Sequence, residues 1–252
     1  MRWYKRNPKK LVSETEGLYA RYPGLAVSIR AKDYEVLPGV RLLREEIVVE
    51  GACTLDPEAE REGPKYEIAI VLPETYPRQA PILYCKDKAL PRDIDRHILS
   101  DGSACLCVRS EFRHFLAKNY QLVDFVDQLV VPFLVGQFSY ECNGKWPWKD
   151  RSHGEDGILE AWEDLLGFSE REKICAFLRA LSRKNGYAGH LPCPCGSGQR
   201  LRHCHAALFR TLRDSVYWED VRNDLALLGP MTRKLSYEAK SGYGNDCGII
   251  GP

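Results

Sequence analysis

The sequence predicts an α+β fold followed by a helical, metal-binding C-terminal region. Three observations carry that reading. A helical stretch lies near the start, short β-branched runs separated by turn residues follow it, and apolar segments at helical spacing fill the rest. At 252 residues the chain is long enough for one large domain or two small ones. A composition 44% hydrophobic and 28% charged describes an ordinary globule.

Residues 8–22 read as a helix with Leu11, Leu18 and Tyr19 on one side, Pro8 in an early turn and Pro23-Gly24 stopping it. Segments 25–32, 41–54 and 65–72 have strand character, from the β-branched run in RLLREEIVVEGACTL to the imperfect alternation of YEIAIVL before Pro73. The charged insert DPEAEREGP (56–64) reads as a hairpin loop, so an antiparallel meander is expected. YPRQAP (76–81) is a stiff turn into a short strand, ILYC (82–85). Residues 120–138 are the best helix of the first half, with Leu122, Phe125, Val126, Leu129, Val130, Phe133 and Leu134 at helical spacing. Pro132 predicts a kink or break near residue 131. Residues 139–158 read as a loop. Helices are expected over 156–166 and 169–184, the second opened by a Ser169/Glu172 capping box and ended by Asn185-Gly186. Residues 206–228 read as a further helix, and 229–252 as a loosely ordered tail.

The net charge of +1 (36 basic against 35 acidic residues) makes no global case for nucleic acid or an anionic membrane, and neither is expected as a partner. MRWYKRNPKK is basic with no apolar run behind it, so no signal peptide is read. No apolar run of about 18 residues is apparent, so no membrane span is expected and the cytoplasm is the default location. Ten cysteines are many for such a compartment. Cys53, Cys85, Cys142 and Cys175 stand alone in apolar patterns and are expected to be buried. Cys105/Cys107 form a tight pair, Cys193, Cys195 and Cys204 a cluster, and Cys247 lies in a Gly-rich tail. Such clusters point to metal binding or catalysis.

Residues 95–107 read DRHILSDGSACLC. Cys105 follows an Asp101-Gly102 turn, with His97 eight residues upstream. Its small neighbours predict exposure, which a nucleophilic thiolate needs, in a segment without regular hydrogen bonding. A buried structural cysteine is the bland alternative, and Cys107 could be the nucleophile instead. A neutral His97 can donate a hydrogen bond to an oxyanion, or take a proton, since its ordinary pKa is about 6.5. It could equally be a surface histidine after a short helical turn. Asp101 either orients an amine or makes the turn. His153 lies in the 139–158 segment, either in a loop before the next helix or in a catalytic role.

The order of helix, meander, Tyr-Pro-x-x-x-Pro turn and His-x-x-x-Asp-Gly-x-x-Cys-Leu segment resembles the ubiquitin-conjugating enzymes, most closely their prokaryotic members, over residues 8–145. The resemblance implies a ubiquitin-conjugating-enzyme-like fold with Cys105 as the thioester-forming residue. His97 stands where the family generally places an asparagine, and Asp101 joins the site. It also implies a protein carried through its C-terminus, a ubiquitin-like protein or a cGAS-like nucleotidyltransferase, with an activating enzyme as a further partner. In bacteria the setting is antiphage defence. No tryptophan follows within a dozen residues of Cys105, where SEFRHF stands instead, so ligase-binding surfaces do not carry over. An inert binding module of the same fold, or a cysteine hydrolase pairing Cys105 with His97, His114 or His153, are the competing readings.

Residues 193–205 read CPCGSGQRLRHCH. Cys193, Cys195, Cys204 and His205 suit a tetrahedral Zn²⁺, with His203 as the alternative imidazole. The segment resembles the SEC-C motif, and four protein ligands imply a closed, structural ion. Arg200, Arg202, Arg210 and Arg213 around it form a solvated face or meet an acidic partner or nucleic acid. The expected organisation is a catalytic domain (1–150), a helical extension (151–189), a zinc module with its helix (190–228) and a flexible tail (229–252).

Overall fold

The computed structural model describes residues 2–229 apart from 38–39, 59–62, 117–118, 149–150, 184 and 217, and without the side chains of 34–43 and 113–114. In chain order the elements are helices α1 (Trp3–Arg6) and α2 (Pro8–Arg21), then strands β1 (Leu25–Leu37), β2 (Val40–Thr54), β3 (Lys65–Leu72) and β4 (Ile82–Cys85). Helices α3 (Phe112–Phe115), α4 (Leu122–Phe125), α5 (Val131–Asn143), α6 (Gly154–Leu166), α7 (Arg171–Leu181), α8 (Ala206–Ser215) and α9 (Trp218–Leu228) follow. The expected tail lies outside the described residues from 230 onward. The chain forms two compact units. Among the described residues, one gathers 2–106 and 116–148; the other gathers 107–115 and 151–229.

The first unit is α+β. Its sheet runs β1-β2-β3-β4 with every neighbour antiparallel, the meander expected from the sequence. Alternation in β3 buries Tyr66, Ile68, Ile70 and Leu72. Helix α2 begins with Pro8 behind Asn7, whose side chain accepts the Lys10 N–H. It buries Leu18 and also Glu14, which is only 2% exposed. The Glu14 carboxylate accepts from Tyr76 Oη at 2.9 Å, from Lys10 Nζ at 2.5 Å and from the Leu122 N–H, which opens α4. One carboxylate thus joins α2, the turn before β4 and the start of the long helix. The Tyr76–Pro77 peptide in that turn is cis.

Of the kink or break expected near residue 131, the break does not occur, and the ladder is irregular just before it. The helix widens to π geometry over Val126–Val130, and Pro132 stands directly after that wider turn, where the hydrogen-bond ladder is already shifted. Helix α5 then continues to Asn143 before Gly144 stops it in the left-handed region, which corrects the loop expected from residue 139. Cys142, expected inside, is exposed. Although Asp124 and Asp127 interrupt it, the stretch Leu122–Asn143 is, among the described residues, long and apolar enough to cross a membrane by length and composition. Half of its most apolar window is buried.

The second unit is helical. Its core gathers Ile158, Trp162, Ile174, Phe177, Leu178, Phe209 and Val221, with Val108 from the 107–115 segment. Trp162 is fully buried and donates its indole N–H to Asp224 at 2.9 Å. The Ser169/Glu172 capping box does not form. Glu170 is the N-cap, extended and without a side-chain cap bond, so the helix starts one residue too late for Ser169 to reach it. The single helix expected over 206–228 is two, because Val216 turns extended and inward between α8 and α9.

Two predictions follow from these cores. Glu14→Ala strands the Leu122 N–H and the Tyr76 hydroxyl, and should lower stability by about 3 kcal/mol in urea unfolding, with Glu14→Gln losing less. In the second unit, burial pushes the Glu111 carboxyl up to about 8, only partly offset by Arg151 at 3.0 Å. The folded state therefore holds a proton that the unfolded chain releases, so this contribution to stability fades as pH rises from about 4.5 to about 8. Unfolding midpoints across that range should show the decline, and Glu111→Gln should flatten it.

Candidate functional site

Residues 97–105 form a small hairpin. Ile98 pairs antiparallel with Ala104, the Leu99 N–H donates to Ser103 O, and the Cys105 N–H donates to His97 O at 2.9 Å. The turn closes through the Gly102 N–H to Leu99 O at 2.9 Å. Gly102 sits at φ +85°, and a Cβ there would collide with the Arg92 guanidinium. The Asp101 carboxylate accepts from the Ser103 N–H at 2.8 Å and Ser103 Oγ at 2.6 Å. Of its two proposed roles, turn-making is the one these bonds carry out.

The hairpin is pinned to the sheet. The Cys85 N–H donates to Gly102 O and the Ala104 N–H to Leu83 O, so residues 102–104 act as a short further strand beside β4. This corrects the expected irregular, exposed segment: regular pairing turns Ser103 and Cys105 to the same inward side, leaving them 4% and 2% exposed. Cys105 is also disulfide-bonded, whereas the other described cysteines are free thiols. Cys107 belongs to the second unit, where burial raises its thiol well above the ordinary range.

His97 is fully buried, not at the surface, and is the one non-glycine residue among those described with positive φ, at 56°. Gln137 and Arg96 clamp it there. Arg96 Nε donates to Gln137 Oε1 at 3.0 Å, and Gln137 Nε2 donates to Arg96 O at 2.6 Å. Glu141 extends the network, accepting from Arg96 Nη2 at 3.4 Å and Tyr66 Oη at 2.9 Å. Against the His97 ring lies Trp146, with centroids 5.1 Å apart. Trp146 reaches it because position 136 is glycine: a Cβ there would stand 2.7 Å from its indole and 2.8 Å from Trp148. Gln137 was the missed residue with a readable signal, a lone amide inside the apolar run VPFLVGQF. Trp146 carried none. His153 is the N-cap residue of α6 in the second unit, and the side chain of His114 is not described.

The second candidate site is the Cys/His cluster. Pro192 pairs with Arg200 and the Cys193 N–H donates to Gln199 O, folding the GSG turn back on itself. The donor atoms of Cys193, Cys195, Cys204 and His205 all lie within 4.8 Å of one another. Cys195 Sγ is 3.6 Å from Cys204 Sγ, and His205 Nδ1 is 3.3 Å from Cys193 Sγ and 3.1 Å from Cys204 Sγ. Tetrahedral zinc, with bonds of about 2.3 Å to sulfur and 2.0 Å to nitrogen, sets donors about 3.5–3.8 Å apart; with separations from 3.1 Å up to 4.8 Å, small side-chain shifts bring these four onto a metal ion such as zinc. His203 is outside the cluster and accepts from Arg202 Nε instead. His205 is held by aromatic edges, Phe168 and Phe177 each 6.0 Å away.

Residues 191–207 match the SEC-C motif. No curated protein matches the chain. Among solved structures, "A complex of the Vps23 UEV with ubiquitin" is similar at 13% identity and a TM-score of 0.36, covering 56% of this chain and 85% of that one.

The cluster predicts that the purified chain carries about one zinc ion per molecule by elemental analysis. Cys204→Ser should lower that content several-fold, and a strong chelator should lower the melting temperature of the wild type but not of the variant.

Proposed function

We propose that the first unit is a ubiquitin-conjugating-enzyme-like acyl carrier. Cys105 accepts the C-terminus of a protein as a thioester and passes it to an amine, in bacterial antiphage defence of the CBASS kind. The observation that carries this reading is the Cys105 N–H to His97 O hydrogen bond, which pairs the two residues of the sequence motif across one hairpin. The reaction requires the reduced thiol. The Cys105 thiolate attacks the carbonyl of a C-terminus activated by a partner enzyme, the C–S bond forms, and the activating group leaves. An amine then attacks the same carbonyl, His97 takes its proton, and the Cys105 thiolate departs. Burial of Cys105 means that the arriving tail must open the segment around it. The carried protein is a cGAS-like nucleotidyltransferase or a ubiquitin-like protein. In the second unit Cys193, Cys195, Cys204 and His205 would hold a structural Zn²⁺, their four donors filling a tetrahedral site.

A second reading, a binding module of the same fold with an inert Cys105, draws on the 2% exposure and the disulfide of that residue. Intact mass spectrometry after co-expression with genomic neighbours separates the two. An adduct of protein size that is cleaved by hydroxylamine and absent from Cys105→Ala is the expected result, and a disulfide-linked species would resist hydroxylamine. A partner retained equally by wild type and Cys105→Ala, with no covalent adduct, establishes the binding module.

A further inference from the structure

The overall charge of +1 conceals a separation within the second unit. Between residues 150 and 172 there are eight acidic residues and two basic ones; between Lys173 and Arg213 there are eight Lys/Arg and no Asp or Glu. Outside that second stretch 28 basic residues stand against 35 acidic ones, which is why the total hides it.

The fold gathers this charge around one short loop, residues 186–192. The Arg183 guanidinium at the end of α7 lies 5.1 Å from the centroid of the Tyr187 ring. From α8, Arg213 stands beside Gly186, its Nη1 3.1 Å from where a Cβ would be. From the metal knuckle, Arg202 borders Gly189 and Arg200 pairs with Pro192. All four arginines are exposed, and Arg183, Arg200 and Arg202 form no ion pair among the described residues. Tyr187 is anchored by its hydroxyl on Pro192 O at 2.8 Å, so the loop is braced.

We infer that this face binds the phosphate backbone of nucleic acid, independently of the acyl-carrier reading. Two observations favour phosphates over an acidic protein. None of the large exposed apolar side chains among the described residues lies between Lys173 and Arg213, so the face offers charge with little apolar surface beyond the half-buried Tyr187. Phosphate binding needs no apolar anchor, because released counterions supply the affinity. The basic side chains are also mostly arginine, whose planar fork suits phosphate oxygens.

Fluorescence anisotropy with the full, zinc-loaded chain and a labelled random-sequence RNA of about 20 nucleotides tests this. Binding should weaken from about 50 to 200 mM salt with a log–log slope near −2 to −3, and a DNA strand of the same length should bind within about threefold. The triple variant Arg183→Gln/Arg200→Gln/Arg202→Gln should bind more than about tenfold more weakly with a shallower slope, and the matching lysine triple should retain most affinity. If the glutamine triple loses its metal, the single variants replace it, each weakening binding by about threefold. Absence of RNA binding at low salt, or binding that no arginine variant weakens, overturns the inference. Capture by polyglutamate without RNA binding also overturns it and makes the face a site for acidic protein.

Discussion

Two backbone hydrogen bonds, from Cys85 to Gly102 and from Ala104 to Leu83, decide the character of the first unit's candidate site. They convert what would be an irregular loop into a sheet edge, and a sheet edge imposes alternation. Ser103 and Cys105 must then point to one side, and that side is the interior. The same pairing leaves no freedom at position 102, where the backbone is left-handed and the Arg92 guanidinium occupies the space of a side chain. Asp101 is absorbed into holding the turn. The thiol thus rests in the most ordered part of the segment, and any chemistry there begins with disturbing a strand.

The long helix supplies the other half of the arrangement. Because the π turn absorbs Pro132, α5 runs on without interruption and presents Gly136, Gln137 and Glu141 over little more than one turn. Gly136 admits the indole that covers His97, and Gln137 grips Arg96 by both side chain and carbonyl. Glu141 ties that arginine to Tyr66 on β3 through their shared carboxylate. A left-handed histidine is costly for a residue with a Cβ, and this clamp is what maintains it.

Much of this was legible in the sequence where the signal is local. Period-two alternation located β3, proline and turn residues bounded α2, and the Cys/His spacing identified the four donors that come together. Reading failed where the deciding partner is distant in sequence. Nothing near Cys105 reveals that β4 will pair with residues 102–104 and so turn the thiol inward, and nothing near Glu14 reveals the orphan N–H at Leu122. Pro132 predicted a kink or break because a proline removes a donor from the ladder, and nothing local signals the π turn that precedes it. Composition concealed the basic face, since acidic residues elsewhere cancel it in the total.

The path of the chain between the two units has a consequence for synthesis. The chain leaves the first unit at Leu106, lends Cys107–Phe115 to the second, returns at Leu116 and departs again at residue 150. A ribosome therefore delivers Val108, Ser110 and Glu111, all buried in the finished protein, well before the helices that cover them exist. The first unit must close around a gap in its own chain, and the excluded loop waits in solvent until α6 to α9 emerge. Neither unit is a continuous piece of gene, so severing the chain at residue 150 removes from the second unit a strip of its own interior.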